Sequence, residues 1–322
     1  MPPRKTARSN GDIASSFGRI QTTIEQVIQG KSEQARLALV CMIAEGHLLI
    51  EDVPGVGKTL LAKSIARAIG CSWGRIQFTP DLLPTDITGV NVFDQEHGDF
   101  EFRQGAVFAN IVLGDEVNRA SPKTQSALLE AMEENQVTVD GVTHKLPEPF
   151  LVIATQNPVE HEGTYPLPVA QLDRFMMRLS IGYPSTTSEL EVLHRHGKQS
   201  ALGEIEAVSN ARQILAMIEG ARQVHVAETL NSYIVELVSS TRETSELTLG
   251  ASPRASLALL RASRAFAISE SRDYVIPDDV KALASSVLAH RLVVAPETEM
   301  SGRSAVDVID DLLESVAVPI RG

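Results

Sequence analysis

A chain of 322 residues with 43% hydrophobic and 22% charged side chains is long enough for two cores and too apolar to stay disordered. Its formal net charge of −12 speaks against a broad electrostatic grip on nucleic-acid backbones. The longest apolar run, Leu37 to Ala44, is far short of the ~20 residues a membrane span requires.

The start, MPPRKTARSNGD, lacks the apolar core of a signal peptide, and residues 1–14 read as a disordered tail. The two cysteines, Cys41 and Cys71, read as buried thiols of a reducing, cytoplasmic setting. From Glu45 to about Tyr183, strand-like runs alternate with helical patterns, which predicts an α/β domain over residues 15–184 with a mostly parallel sheet. HLLIED is its first strand, and KTLLAKSIARAIG carries a helical stripe that stops at Gly70. ANIVLGDE and PFLVIATQN are two more buried strands. Two hairpins interrupt the alternation: GVNVF with DFEF, and NQVTV with VTHKL, the second turned by Asp140-Gly141, a strong hairpin signal. After IGYPS only helical stripes are expected, so residues 185–322 read as an all-helical lid domain.

The chemistry is concentrated at strand ends. Gly55, Val56, Gly57, Lys58 and Thr59 stand between the HLLIED strand and the KTLLAKS helix, the context in which backbone N–H groups converge on phosphates at a helix start. With Pro54 before them and Leu60 after, they make a phosphate loop in which Lys58 meets the outer phosphates and Thr59 a magnesium ion. Asp52 occupies the place of the pattern's first glycine, at some loss of turn freedom but without removing a phosphate donor.

ANIVLGDEVNRA puts Asp115 and Glu116 at the carboxyl edge of the sheet, where ligands of open α/β sheets bind. Asp115 suits magnesium held through water, and Glu116 the orientation and deprotonation of an attacking water. Asn157, at the end of PFLVIATQN, is placed to meet the γ-phosphate or that water. In SPRASLALL, Ser252 reads as a helix N-cap and Pro253 as the first helical residue. Arg254 then sets a cation at the positive end of the helix dipole, which a bound γ-phosphate would make favourable. His194 and His196 read as solvated, and Trp73, the only tryptophan, as a packing residue.

DVPGVGKT, GDEVNRASPKTQSALLEAMEE, ATQNPVEHEGTYPLPVAQLDRFMMRL and SPRA, in this order, resemble the MoxR family of AAA+ ATPases over nearly the whole chain after the tail. The family resembles this chain even at the aspartate in place of the first glycine. The resemblance implies ATP and Mg2+ as ligands and a homo-oligomer, a hexameric ring with ATP between subunits. Lys58, Thr59, Asp115 and Glu116 would act in their own subunit, Asn157 as sensor 1, Arg254 as sensor 2, and Arg174 in LDRF as the arginine finger given to a neighbour. Whether Arg254 serves its own subunit or the next is open, and Arg119 is a second candidate for an interface arginine. Ile28 and Gly30 would border the adenine. The hairpins match inserts shared with magnesium chelatase and replicative helicases.

The function so implied is a chaperone-like ATPase that remodels or matures a client protein, with a von Willebrand factor A domain protein as partner. The alternatives are the motor of a chelatase-like metal-insertion complex, a nucleic-acid-dependent ATPase, or a scaffold that binds ATP without turnover. The second hairpin offers Thr138, Asp140, Thr143, His144 and Lys145, a poor electrostatic tool for DNA, so a nucleic-acid partner is not expected. The intact acid pair argues against the scaffold.

Overall fold

Two helices precede the first strand in the computed structural model, which describes residues 10–158, 163–187, 189–190 and 205–319. They are α1 (Asn10–Glu25) and α2 (Ser32–Ile43). Residues 10–14, expected to belong to the tail, instead open α1. The cause is a stripe of Ile13, Phe17, Ile20 and Ile24, all buried, whose spacing lines one helical face.

From there β1 (Leu48–Glu51), α3 (Lys58–Ala68), β2 (Trp73–Gln77) and the short α4 (Pro84–Thr88) follow. The first inserted hairpin is β3 (Gly89–Asp94) with β4 (Asp99–Gln104). Next come β5 (Ile111–Asp115) and α5 (Pro122–Glu134), then the second hairpin, β6 (Gln136–Val139) with β7 (Val142–Lys145). Asp140 and Gly141 both have positive φ, 51° and 80°, as a two-residue hairpin turn demands. β8 (Leu151–Gln156), the short α6 (Val169–Leu172) and β9 (Met177–Leu179) complete the domain.

β2, β5, β8, β1 and β9, in that spatial order, form one five-stranded parallel sheet. Alternation along the strands sorts the core. Leu48, Ile50, Leu113, Ile153 and Met177 join a cluster with α1 to α3, while Leu49, Val112, Val152 and Ala154 pack with α5. Because every strand runs the same way, Glu51, Gln77, Asp115, Gln156 and Leu179 end at one edge of the sheet. The residues that lead into the strands, such as His47 and Met176, lie at the opposite, amino edge.

The lid comprises α7 (Ala211–Arg222), α8 (Glu228–Glu243), β10 (Leu247–Leu249), α9 (Pro253–Ser269), α10 (Pro277–Leu288), β11 (Val293–Val294), α11 (Pro296–Met300) and α12 (Ala305–Ser315). It is not wholly helical as expected: β10 and β11 pair antiparallel. Both runs are too short to show a strand period against their helical neighbours. Lid residues Leu259, Leu283 and Ile309 share one continuous cluster with the sheet face of Leu48 and Ile50. No helix among the described residues is long and apolar enough to cross a membrane. His194 and His196 lie outside the described residues. Cys41 is buried, and burial pushes its thiol up to about 12, as suits an inert core residue.

His47, at the start of β1, is buried and accepts the Val152 N–H at Nδ1 (3.0 Å), so Nε2 carries the proton toward the Met132 carbonyl (2.9 Å). Burial lowers its pKa to about 4, and burial also lowers that of His290. Between pH 6.5 and 4 the unfolded chain therefore binds more protons than the folded one, and stability falls as pH falls through that window. From pH 7 to pH 5, His47 alone should cost ~2 kcal/mol. Thermal melts at the two pH values check this, and a melting temperature equal or higher at pH 5 would contradict it.

Candidate functional site

β1 ends at Glu51 and α3 begins at Lys58, so residues 52–57 turn at the carboxyl edge of the sheet. Gly55 (φ +87°) and Gly57 (φ +100°) hold left-handed conformations, and a Cβ built on either would meet nothing within 4 Å among the described residues. The loop is therefore an open hollow above a helix start, the shape that receives a phosphate. Lys58 Nζ donates to the carbonyls of Asp52 and Gln156, which holds its cation between the ends of β1 and β8. Thr59 and Leu60 follow in the first turn of α3.

Asp52 is itself buried. Its carboxylate accepts the Val53 N–H (2.9 Å), the Ser180 hydroxyl (3.0 Å) and the Gly182 N–H (2.6 Å). Burial alone would push its pKa up, but the hydrogen bonds from Gly182, Ser180 and Val53 outweigh it and hold the group below its ordinary value.

Asp115 closes β5 two strands away. Thr155 on the adjacent β8 donates its hydroxyl to Asp115 Oδ1 (2.8 Å) and accepts the Glu116 N–H (2.9 Å). That hydroxyl fixes both acids. Arg75 of β2 pairs with the other Asp115 oxygen at 2.6 Å. Glu116 has φ 57° and ψ 53°, a left-handed backbone that costs a non-glycine residue about 1 kcal/mol or more. Its carboxylate is held by Gln77 Nε2 (3.2 Å) and Arg119 (3.0 Å). Arg119, expected as a candidate interface residue, thus pairs with the acid of its own chain. Asn157 is buried beyond the end of β8, and the neighbouring Gln156 Nε2 is buried without a hydrogen-bond partner among the described residues. An orphaned donor and an open glycine hollow at one edge fit a bound polyphosphate, and Thr59 at the start of α3 and Asp115 at the end of β5 are oxygen donors of the kind that magnesium takes.

Arg174 and Arg254 are elsewhere. Arg174 precedes β9, where the Met176 N–H donates to the His47 carbonyl (2.8 Å) and so lies at the amino edge. Glu133, at the end of α5, bridges the two arginines, 3.1 Å from Arg174 and 2.7 Å from Arg254. A carboxylate of this chain thus offsets the cation at the start of α9. Ser252 stands at the N-cap position of α9, ahead of Pro253, but its side chain makes no capping hydrogen bond. Its hydroxyl donates instead to Asp173 (2.9 Å), which also pairs with the buried Arg291 at 2.7 Å. These contacts fasten the Arg174 segment to the lid.

Ile28 is buried and Gly30 has φ 70°. The next residue, Lys31, donates to the Tyr183 carbonyl (2.9 Å), which brings this turn to the segment leaving β9. Trp73 is half-buried beneath Lys63, whose Nζ is 5.0 Å from the ring. Sequence reasoning missed Thr155 and Glu133. Thr155 carried no local signal, because it meets Asp115 only through the β5–β8 pairing, in which Leu113 and Gly114 pair with Ile153 and Ala154. Glu133 carried no signal, being one acid among several on α5.

Residues 47–177 match the sequence profile of the ATPase family associated with various cellular activities (AAA), and residues 239–312 match an AAA lid domain. The chain is 47% identical over 310 residues to YeaC of Bacillus subtilis, covering 96% of this chain and 97% of that one. It is 42% identical over 305 residues to the chaperone MoxR1 of Mycobacterium tuberculosis, covering 92% and 80%. A crystal structure from Cytophaga hutchinsonii, provisionally named an ATPase, superposes with a TM-score of 0.90 at 40% identity over 97% of both chains. The chain is a member of the MoxR family of AAA+ ATPases. As a MoxR-type chaperone-like ATPase it binds and hydrolyses ATP. A full-length MCM homologue from Methanopyrus kandleri, 20% identical with a TM-score of 0.59, shares the fold alone with this MoxR protein.

Proposed function

We propose that ATP binds on Pro54 to Leu60 of one subunit and is hydrolysed with Arg174 and Arg254 of the next, in a homo-hexameric ring. The ring would use the cycle to remodel a client protein, working with a von Willebrand factor A domain partner. The observation that carries the assembly is the separation of the two halves of the site. Lys58, Asp115, Glu116 and Asn157 stand at the carboxyl edge of the sheet. Arg174 and Arg254 stand together at the amino edge. A finger at the wrong edge for its own loop is at the right edge for a neighbour's, and repeated head-to-tail contact of this kind makes a ring when the rotation between neighbours closes. The client reading draws on the relative named a chaperone.

Within one site, the backbone N–H groups of residues 55–59 and Lys58 would bind the phosphates, while Thr59 and Asp115 hold magnesium. When bound, magnesium supplies charge neutralisation on the outer phosphate oxygens. Glu116 takes a proton from the attacking water, which Asn157 helps to orient. Arg174 and Arg254 offset the charge that grows on the transferred phosphoryl group.

Lys58→Ala tests the loop. It removes the mobile cation of the hollow, and charge-assisted hydrogen bonds to phosphate contribute ~1.5–3 kcal/mol, so ATP affinity should fall roughly 10- to 100-fold. Titration calorimetry reads this directly, and an affinity equal to wild type would end the case for this loop.

A further inference from the structure

Asp52 is the one residue that breaks the phosphate-loop pattern, and its backbone makes no use of a glycine's freedom. The positive-φ positions of this loop are Gly55 and Gly57. What the position uses is a carboxylate. Its hydrogen bonds reach far along the chain, to the Ser180 hydroxyl and the Gly182 N–H. Those residues follow β9 directly, on the chain's path from the sheet to the lid. Gly182 turns there with φ +65°, and Lys31 donates to the next carbonyl, that of Tyr183. The exit to the lid is thus bonded both to the phosphate loop and to Lys31. The backbone carbonyl of the same Asp52 accepts from Lys58 Nζ.

We propose that Asp52 is a positioning residue that couples the phosphate loop to the lid, through a carboxylate that grips Ser180 and Gly182 and a carbonyl that Lys58 grips or releases. When Lys58 turns to a phosphate it gives up the Asp52 carbonyl, and the residue that bears the lid's exit segment is freed to shift. The lid carries Arg254, and through Ser252 and Arg291 it is fastened to Asp173 beside Arg174. Movement at Asp52 therefore reaches the arginines at the far edge of the sheet. This inference rests on the reading of Pro54 to Leu60 as the ATP loop, and it adds the route by which occupancy of that loop is transmitted.

The test compares the full-length wild type with Asp52→Gly and Asp52→Asn. Glycine is the residue that the loop pattern itself has at this position, so the backbone tolerates it, while asparagine keeps the side-chain shape, loses the charge and, with its oxygen in the place that meets Ser180 and Gly182, turns its N–H2 toward the Val53 N–H. Amide exchange over residues 180–183 is measured with and without Mg·ATP, alongside steady-state ATPase kinetics. In the wild type, ATP changes exchange in this segment. In Asp52→Gly the Gly182 amide should exchange about tenfold faster, as loss of one charged hydrogen bond implies, and the ATP-dependent change should vanish. Its kcat should fall about fivefold or more with KM within about twofold, because misplaced groups across the interface lower the rate without loosening the loop. Asp52→Asn should move the same way by less, and it decides the matter if circular dichroism shows that the glycine variant does not fold. Wild-type exchange and wild-type kcat in the variants would overturn the inference, as would a rise in KM matching the fall in kcat, which marks damage to the loop itself. A wild-type chain that fails to bind ATP would instead overturn the loop assignment, and this inference with it.

Discussion

Glu116→Gln should bind ATP and magnesium with near wild-type affinity and hydrolyse ATP about 10²- to 10⁴-fold more slowly. The amide has the shape of the carboxylate and can still accept from Gln77 and Arg119, which hold the wild-type group at 3.2 Å and 3.0 Å. The strained backbone at φ 57° is fixed by the Thr155 hydroxyl on the Glu116 N–H, a contact the substitution leaves in place. What it removes is basicity, so the water is held but keeps its proton. Single-turnover hydrolysis separates this loss from slow product release. Turnover at the wild-type rate would show that another group is the base. The trapped, ATP-loaded ring is also the state from which a client and a von Willebrand factor A domain protein should co-purify. Recovery of neither, under conditions in which the ring stays loaded, would count against the remodelling reading. Added DNA should leave the wild-type rate unchanged, and stimulation by DNA would favour a nucleic-acid motor.

The parts of this site that lie next to one another along the chain are legible in the amino-acid sequence. A glycine turn between a strand and a helix, and two acids at a buried strand end, are local patterns whose geometry follows from φ/ψ limits and strand period. Asn157 follows from the same logic. The hairpin turn at Asp140-Gly141 does too. What escapes depends on pairs distant in sequence. Thr155 holds Asp115 and Glu116 only because β5 and β8 are neighbours, and strand order is not written in either strand alone. Glu133 meets Arg174 and Arg254 only because the end of α5 returns to the amino edge. Ser252 takes the N-cap position expected of it, but its hydroxyl turns to donate to Asp173, a partner distant in sequence, and makes no capping bond. Propensity ranks Ser252 correctly as a hydrogen-bonding residue and cannot choose its partner. The expected tail is too long because composition near Asn10 is polar, while the residues that fix α1, Ile13 and Phe17, contribute through burial against the lid and α3.

Arg174→Ala should bind ATP about normally and, as a pure preparation, lose ATPase activity by about 10³-fold or more, the range in which an arginine finger acts on phosphoryl transfer. Little of this is a stability effect, because Arg174 and Glu133 are a partly exposed pair, 31% and 35% accessible, and such pairs contribute ~0–1 kcal/mol. Lys58→Ala subunits should be inactive as well, at ATP concentrations that fill the wild-type loop and leave the weakened one empty. Mixing the two should restore activity. The first subunit supplies an intact loop and the second an intact Arg174, and the two meet wherever the subunits stand in the right order around the ring. Random mixing in equal amounts makes about a quarter of the interfaces intact, so about a quarter of wild-type activity is expected if sites fire independently around a cyclic assembly. A pull-down between differently tagged subunits must first show that mixed rings form. If they form and no activity returns, two causes remain, and a second mixture separates them. Subunits carrying both substitutions are titrated into wild-type rings, which leaves intact loop-to-finger interfaces between wild-type neighbours. Activity that declines gradually in this mixture shows that sites work independently, so the silent first mixture would mean that Arg174 acts within its own chain and the trans assignment is wrong. Activity that collapses with the first poisoned subunit shows that the ring needs every site, which keeps Arg174 between subunits and makes hydrolysis concerted around the ring.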